Sequence, residues 1–454
     1  MNKEFLEKSE AKAFDIRHRG ILNFNISRYN EAVIRGKKQY CNLELAKRRA
    51  ASIKHKVINR LDDYLIEFEA NFNRRGGKVI WAENTEGCIK EIIGILRKSG
   101  AKLIVKQKSM ITEEIELNHA LEKNEFEVWE TDLGEFIVQE AGEKPYHIIT
   151  PVMHKSKEDV AELFHKKFNL PEKSTPEEIT AFVRDYLRDK FIKADAGITG
   201  CNFLIADTGA VGLTENEGNG LLSISFPKIH ITIAGIEKII PSLKDLDLFL
   251  PLLATHGTGQ NITVYNNIVF GPKQEDEADG PVEMYVILLD NKRTELMNYI
   301  KQREALACIR CGACLNGCPV YRNIGGYTYN SVYSGPIGSV ISPFFNGFAE
   351  YKHLSYASSL CGKCYDVCPV KINLPQLLLQ NRNLAVLSKL PPVSEKILMK
   401  GWKMIMLNRK LINMVSPGMK NFVFKRGFKK LWGPRRALPI FAKKSFNQQW
   451  KMKN

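Results

Sequence analysis

Two rhythms of apolar and polar positions divide the chain. Between residues 76 and 294, short β-rich runs recur: KVIWA (78–82), KLIVKQ (102–107), FEVWET (126–131), HIITP (147–151), NFLIADTGAVGLTE (202–215), HITIAGI (230–236), ITVYNNIVF (262–270) and MYVILLD (284–290). Each is rich in branched and aromatic residues and bounded by turn formers, as strands are. Between several of them lie CIKEIIGILRKSG (88–100), TEEIELNHALEKN (112–124), KEDVAELFHKKF (157–168) and TPEEITAFVRDYLRDKF (175–191), whose apolar residues recur at helical spacing. A strand–helix–strand rhythm predicts a mostly parallel sheet covered by helices, hence a three-layer α/β domain. The crowded strands from 200 to 235 add an antiparallel or hairpin portion.

Helical spacing dominates residues 1–75, where LAKRRAASIKHKVINRLDDYLIEFEANF (45–72) runs into the glycine stop RRGGK. Residues 295–380 carry most of the cysteines and read as a separate small domain. Residues 381–454 form a tail broken by prolines 391, 392, 417, 434 and 439, with short helical patches such as SEKILMKGWKMIMLNRKLINMV (394–415).

Composition changes this picture in one place. With 44% apolar and 26% charged residues the chain is ordinary globular protein. It opens without a secretory signal and holds no apolar run long enough to cross a bilayer, which points to the cytoplasm. The net charge of +16, however, is concentrated: from Pro391 onward there are 16 Lys or Arg against one acidic residue, Glu395. The protein is a near-neutral body with a basic tail. In that tail Lys425, Arg426, Lys429, Lys430, Arg435 and Arg436 interleave with Phe424, Phe428 and Trp432. Such a mixture suits an acidic partner subunit or, peripherally, the anionic inner face of a membrane. Nucleic acid is a poor candidate, since no recognition motif accompanies the charge.

Seven of the ten cysteines lie between Cys308 and Cys368. The first run, CIRCGACLNGCP, has the spacing C-x2-C-x2-C-x3-C followed by Pro319. Three sulfurs of such a loop converge on one iron–sulfur cluster, and the fourth cysteine turns to a neighbouring cluster. Cys308, Cys311, Cys314 and, from the second run, Cys368 are therefore expected to hold a first, [4Fe–4S] cluster. Cys318, Cys361 and Cys364 would hold a second. Laid on the first run, the second has Ser358 where an opening cysteine would stand. The second cluster is then [4Fe–4S] with Ser358, water or another group on its fourth iron, or [3Fe–4S]. Zinc fits poorly, because seven cysteines exceed one site. Two adjacent clusters suit the passage of electrons. The layout resembles the helical ferredoxin domain of succinate dehydrogenase and fumarate reductase iron–sulfur subunits, which also pair a full cysteine run with a depleted one.

Five stretches carry a closer resemblance: VKQKSMITEEIELN (105–118), ETDLGEFIVQ (130–139), GITGCNFLIADTGAVGLTENEGNG (197–220), SLCGKCYDVCPVKI (359–372) and the tail after it. In motif and domain order, from about residue 20 to beyond 440, the chain resembles the LutB-type L-lactate utilisation iron–sulfur proteins. The resemblance implies a LUD domain related to the ribose-5-phosphate isomerase (NagB/RpiA) and CoA-transferase superfamily. It also implies a role with two Lut-type partner subunits in oxidising L-lactate to pyruvate. No flavin or nicotinamide fingerprint is present, so the expected role is an electron-transfer subunit. The rival is a LUD-domain enzyme acting on a sugar phosphate or acyl-CoA, with accessory clusters.

Other residues carry weaker signals. Gly209, Gly212, Gly218 and Gly220 could bring backbone amides to an anion, with Asp207, Thr208, Glu215, Asn216 and Glu217 around a small ligand; the plainer reading is a hairpin with glycine turns. His147 and His154, flanking Pro151, are expected to make structural hydrogen bonds rather than to ligate metal. In ETDLGE, strand-like spacing turns Glu130 and Asp132 one way and Glu135 the other, with surface or capping roles. Cys41, Cys88 and Cys201 are isolated and expected to be buried thiols.

Overall fold

The structure, a computed structural model, describes residues 2–429 and 437–453. They fall into two compact units, one running to Leu384 and one beginning at Ala385.

Ten strands are present among the described residues: β1 (Lys78–Ala82), β2 (Leu103–Lys106), β3 (Glu127–Glu130), β4 (Ala196–Thr199), β5 (Phe203–Ile205), β6 (Ala210–Glu215), β7 (Ile229–Gly235), β8 (Ile239–Ile240), β9 (Tyr265–Val269) and β10 (Glu283–Leu289). Six form one sheet in the order β1-β10-β7-β4-β2-β3, and every pairing in it is parallel. A parallel sheet needs cover on both faces, and its strands read as near-continuous apolar runs. Strand β10 shows how its sequence meets that need. Tyr285, Ile287 and Leu289 face the helix Thr85–Ser99, through Cys88, Ile92 and Leu96. Met284, Val286 and Leu288 face Leu65, Phe68 and Phe72 of the helix Leu61–Arg74. On that second side lies the smaller sheet, β8-β5-β6-β9, whose β5–β6 and β6–β9 pairings are antiparallel. Within the stretch from 200 to 235, where an antiparallel or hairpin portion was expected, the hairpin is β5–β6.

One expected strand is absent among the described residues, and one strand present was not expected. HIITP is a succession of bends, not a strand. Pro151 cannot donate to a ladder, and the backbone N–H groups of Ile149 and Thr150 bond instead to His147 Nδ1, at 3.1 and 3.3 Å. Conversely, β4 lies near the middle of the large sheet, yet its AGIT is too short and too glycine-bearing to read as a separate strand. Its place is fixed by close packing: a side chain at Gly197 would collide with the Ser223 backbone.

The helices of the α/β region are set by local signals. Ser156 and Asp159 form a capping box ahead of Lys157–Phe168. Thr175, Pro176 and Glu178 do the same for Pro176–Lys193. In the N-terminal helices Lys3–Phe14, Ile16–Gly36 and Leu43–Asn59, the buried Phe5, Leu22, Ile26 and Ala50 belong to the same apolar core as Ile337, Val340, Leu354 and Val370 of the cysteine region.

The unit beginning at Ala385 holds the helices Val393–Leu407 and Pro417–Val423, and a π-helical turn, Phe424–Phe428, that stacks Phe424 on Phe428 with centroids 4.7 Å apart. Lys425, Arg426 and Lys429 are exposed there. Lys430, Trp432, Arg435 and Arg436 lie outside the described residues. No helix among the described residues is long and apolar enough to cross a membrane.

Candidate metal centres and the adjoining cleft

The two cysteine runs adopt one local fold, used twice. Residues 302–307 and 352–356 each form a 3-10 stretch ahead of the run. Arg310 and Leu360 then take left-handed backbone (φ 60° and 54°), as do Gly312 and Gly362 (φ 72° and 83°). Each glycine caps a single helical turn, Ala313–Asn316 or Lys363–Asp366. Left-handed backbone on both sides of Cys311, and again of Cys361, curls the chain so that successive sulfurs face one point. Gly312 has a second constraint, because a side chain there would strike Ile149.

The repeat extends to the position that departs from it. The Arg310 N–H points at Cys308 Sγ, 3.4 Å away. Fifty residues on, the Leu360 N–H donates to Ser358 Oγ at 3.1 Å. The serine oxygen thus has the same backbone donor as the sulfur it replaces.

Cys308, Cys311, Cys314 and Cys368 line one cavity, closed by Ile148, Ile309, Ile337, Val370 and Ile372. Burial pushes the Cys311 and Cys314 thiols up, and the nearby Cys308 and Cys368 add to the shift. Cys368 is pushed up to about 11 by burial, although it receives the Ile372 N–H at 3.4 Å. Cys318, Cys361 and Cys364 interact electrostatically as a second group. Cys364 is raised to about 12 by burial and then by Cys318 and Cys361. Cys361 is exposed and shifted the other way, chiefly by the Lys363 N–H and the Ser359 hydroxyl.

Such thiols ionise only against strong positive charge, which iron supplies.

Comparison with known proteins agrees. Residues 304–372 match the 4Fe-4S dicluster domain family, and residues 65–289 match the LUD domain family. Lactate utilization protein B of Bacillus velezensis (strain DSM 23117 / BGSC 10A6 / LMG 26770 / FZB42) is 45% identical over 80% of this chain and 76% of its own. That of Bacillus pumilus (strain SAFR-032) is 39% identical over 99% of this chain and 97% of its own. The chain belongs to the lactate utilisation protein B family. It is an iron–sulfur member, with a LUD domain built on a parallel sheet followed by a ferredoxin-like 4Fe–4S domain. A crystal structure of a DUF162 family protein from Deinococcus radiodurans aligns with 52% of this chain and 98% of its own at 12% identity and a TM-score of 0.28.

A cleft of about 470 Å³ opens at the carboxyl ends of the parallel strands, where ligands bind in open α/β sheets. Sequence reasoning anticipated part of its lining. Glu215, Asn216 and Glu217 border it, whereas Asp207 and Thr208 do not. Asp207 instead caps Leu243 N–H at 3.0 Å. The glycine turn does receive an anion, but the anion is internal: Glu215 accepts Gly220 N–H at 2.6 Å and Leu221 N–H at 2.9 Å. Gly209 turns the β5–β6 hairpin with φ 68° and packs on Phe72; Gly212 is a strand residue of β6. Glu217 accepts Leu133 N–H at 3.0 Å; burial and the nearby Asp132 raise its carboxyl to about 7.

ETDLGE differs from its strand reading. Asp132 is a cap, accepting Glu135 N–H at 3.0 Å, and Glu135 stands on the helix Leu133–Ala141. Glu130 and Glu135 are buried and converge, with Glu113, to within 4.8 Å. Lys106 Nζ neutralises this group at 2.8 Å from Glu130. The strand ends at residue 130, so alternation could not be carried past it. His147 and His154 are structural, the latter bonded to Glu143 at 2.7 Å and stacked on Tyr146. Cys88 is buried, Cys201 borders the cleft, and Cys41 is exposed rather than buried.

What sequence reasoning missed is the cationic end of the cleft. Arg293, buried, is bidentate to Glu114 at 2.9 Å and bonds Glu237 at 2.6 Å. Arg310 reaches Glu237 at 3.3 Å and lies over the Tyr333 ring. Although burial opposes it, Glu237 is held down at about 2 by Arg293 and Arg310. Isolated basic residues tens to hundreds of positions apart gave no pattern to read.

Proposed function

We propose that this chain is the electron-transfer subunit of an assembly that oxidises L-lactate to pyruvate. In this reading Cys308, Cys311, Cys314 and Cys368 ligate a first, [4Fe–4S] cluster. Cys318, Cys361 and Cys364 ligate a second, with Ser358 at its fourth position, as [4Fe–4S] or [3Fe–4S]. The carrying observation is the exchange between runs: Cys368 shares a cavity with the first trio, while Cys318 interacts with Cys361 and Cys364. Bound clusters would take up and release single electrons.

The chain's own residues explain the division of labour. Ile148, Ile309, Ile337, Val370 and Ile372 exclude water from the first centre. Backbone N–H groups of Arg310, Tyr321 and Ile372 point at ligand sulfurs and stabilise their negative charge. Exposed Cys361 leaves the second centre open to a redox partner. Two partner subunits carry the remaining steps, one of them the two-electron oxidation of lactate. The parallel sheet is read as a member of the ribose-5-phosphate isomerase and CoA-transferase superfamily. The basic region after Pro391, whose helix Val393–Leu407 exposes Ile397, Trp402 and Met406, docks an acidic partner subunit.

Anaerobic addition of L-lactate to the chain with both partners should reduce its clusters, seen by optical bleaching and EPR. Clusters that stay oxidised under those conditions would contradict the proposal.

A further inference from the structure

The cleft in the LUD domain and the first cysteine centre share a residue. Arg310 lies between Cys308 and Cys311, lines the cysteine cavity, and also lines the cleft. Its side chain is 8% exposed. Nη2 meets Glu237, whereas Nη1 is buried with no hydrogen-bond partner. An unmet donor on a buried guanidinium is costly, more so because the group is charged. Beside it in the cleft lining is Lys238, half-buried, whose Nζ has no hydrogen-bond or ion-pair partner among the described residues. Both are electrostatically coupled to Cys308.

The cations at this end are Lys54, Arg293 and Arg310, with side chains in the interior, and the half-buried Lys238, against the carboxylates of Glu114 and Glu237. Positive charge is in excess. Ligating thiolates would offset part of it, but they offer no acceptor oxygen to Arg310 Nη1 or Lys238 Nζ. Arg293 already spends four of its five N–H donors on Glu114, Glu237 and the Asp290 carbonyl. The open donors therefore point to an oxygen-bearing anion that enters from the cleft. Further along, the cleft is lined by the carboxyl of Glu217, a group able to take a hydroxyl substituent.

We propose that the cleft binds a small organic oxyanion, a carboxylate or phosphate, on Arg310 and Lys238, and that the bound anion is energetically linked to the first cluster. The linkage rests on the reading that Cys308, Cys311, Cys314 and Cys368 hold a cluster; the binding site does not. An anion placed on cations that face Cys308 opposes the charge added by reduction. It lowers the cluster's potential, and by reciprocity reduction weakens anion binding. Ligand occupancy in the LUD domain would then set when the first centre accepts an electron.

The test uses the full cluster-loaded chain. Calorimetric titrations with pyruvate, L-lactate and inorganic phosphate are run beside an EPR-monitored redox titration with and without the best binder. Saturable binding of at least one probe is expected. Preference for the carboxylates identifies a 2-hydroxy or 2-oxo acid, and preference for phosphate a phosphorylated ligand. Lys238→Gln should weaken binding by about ten-fold or more, the loss of one charge-assisted contact. Arg310→Lys should keep more affinity than Arg310→Gln. The first cluster's midpoint should fall on binding while the second stays. Absence of saturable binding to all three probes, or binding indifferent to both positions, overturns the site. An unmoved midpoint with the anion bound overturns the linkage. Iron content separates these failures from failure of the cluster reading, because calorimetry reads the cleft whether or not iron is held.

Discussion

The run Cys308–Cys318 and the run Ser358–Cys368 share a backbone but not an environment. The first sits under apolar side chains and within reach of cations: Lys54, Lys238 and Arg310 act on Cys308 and Lys37 on Cys311. The second has an exposed cysteine, a serine in place of a cysteine, and no cation among the main influences on Cys361 or Cys364. Identical loops thus offer two electrostatic settings. Positive charge favours the reduced, more negative cluster, so the first centre should have the higher potential so far as these cations decide. The missing thiolate at Ser358 works in the opposite direction by making the second centre less negative. Which effect dominates is measurable, and the variants below separate them.

The largest effect should come from Cys314→Ala, which removes a ligand inside the closed cavity. Iron should fall by about four per chain, and the remaining EPR signal should be that of the second centre alone. Next is the buried ion network that joins the first centre to the α/β region. Glu237→Gln leaves Arg293 and Arg310 short of their shared carboxylate and should cost about 3–5 kcal/mol in denaturant unfolding.

Acid should attack the same network. Glu237 has a folded value near 2 against an ordinary 4.5. Its stabilisation is therefore complete above about 4.5 and is lost as pH falls towards 2, and Glu237→Gln should flatten stability across that window. A smaller change is expected from Lys54→Met, which removes a cation coupled to Cys308: the first midpoint should fall and the second should not move. Ser358→Cys should alter overall stability least. It should restore symmetry between the runs and replace any [3Fe–4S] signal of oxidised protein by a [4Fe–4S] signal seen only on reduction.

Much of this comparison was legible before any coordinates. Cysteine spacing is a short-range code, so the two runs, their Cys-Pro ends and the anomaly at Ser358 could be read directly. The parallel sheet was legible from its strand–helix rhythm, although β4 was lost because its four residues carry no pattern of their own. The cleft was only half legible. Glu215 and Glu217 stood out in a glycine-rich hairpin, but the sequence could not tell that Glu215 is consumed by the backbone N–H groups of Gly220 and Leu221. Lys54, Glu237, Arg293 and Arg310 meet only through tertiary packing, and no local spacing announces such a meeting. HIITP was misread because a β-rich composition is a weak guide beside a proline, and local hydrogen bonds to His147 won.

The exchange of Cys318 and Cys368 between the two centres is best tested by changing those two residues separately, Cys318→Ser and Cys368→Ser, and recording anaerobic EPR-monitored redox titrations of each. The account predicts crossed losses: Cys368→Ser perturbs the centre that Cys311→Ser also perturbs, and Cys318→Ser perturbs the centre that Cys364→Ser perturbs. If Cys368→Ser instead groups with Cys364→Ser, each run holds its own cluster and the interlocked arrangement is wrong.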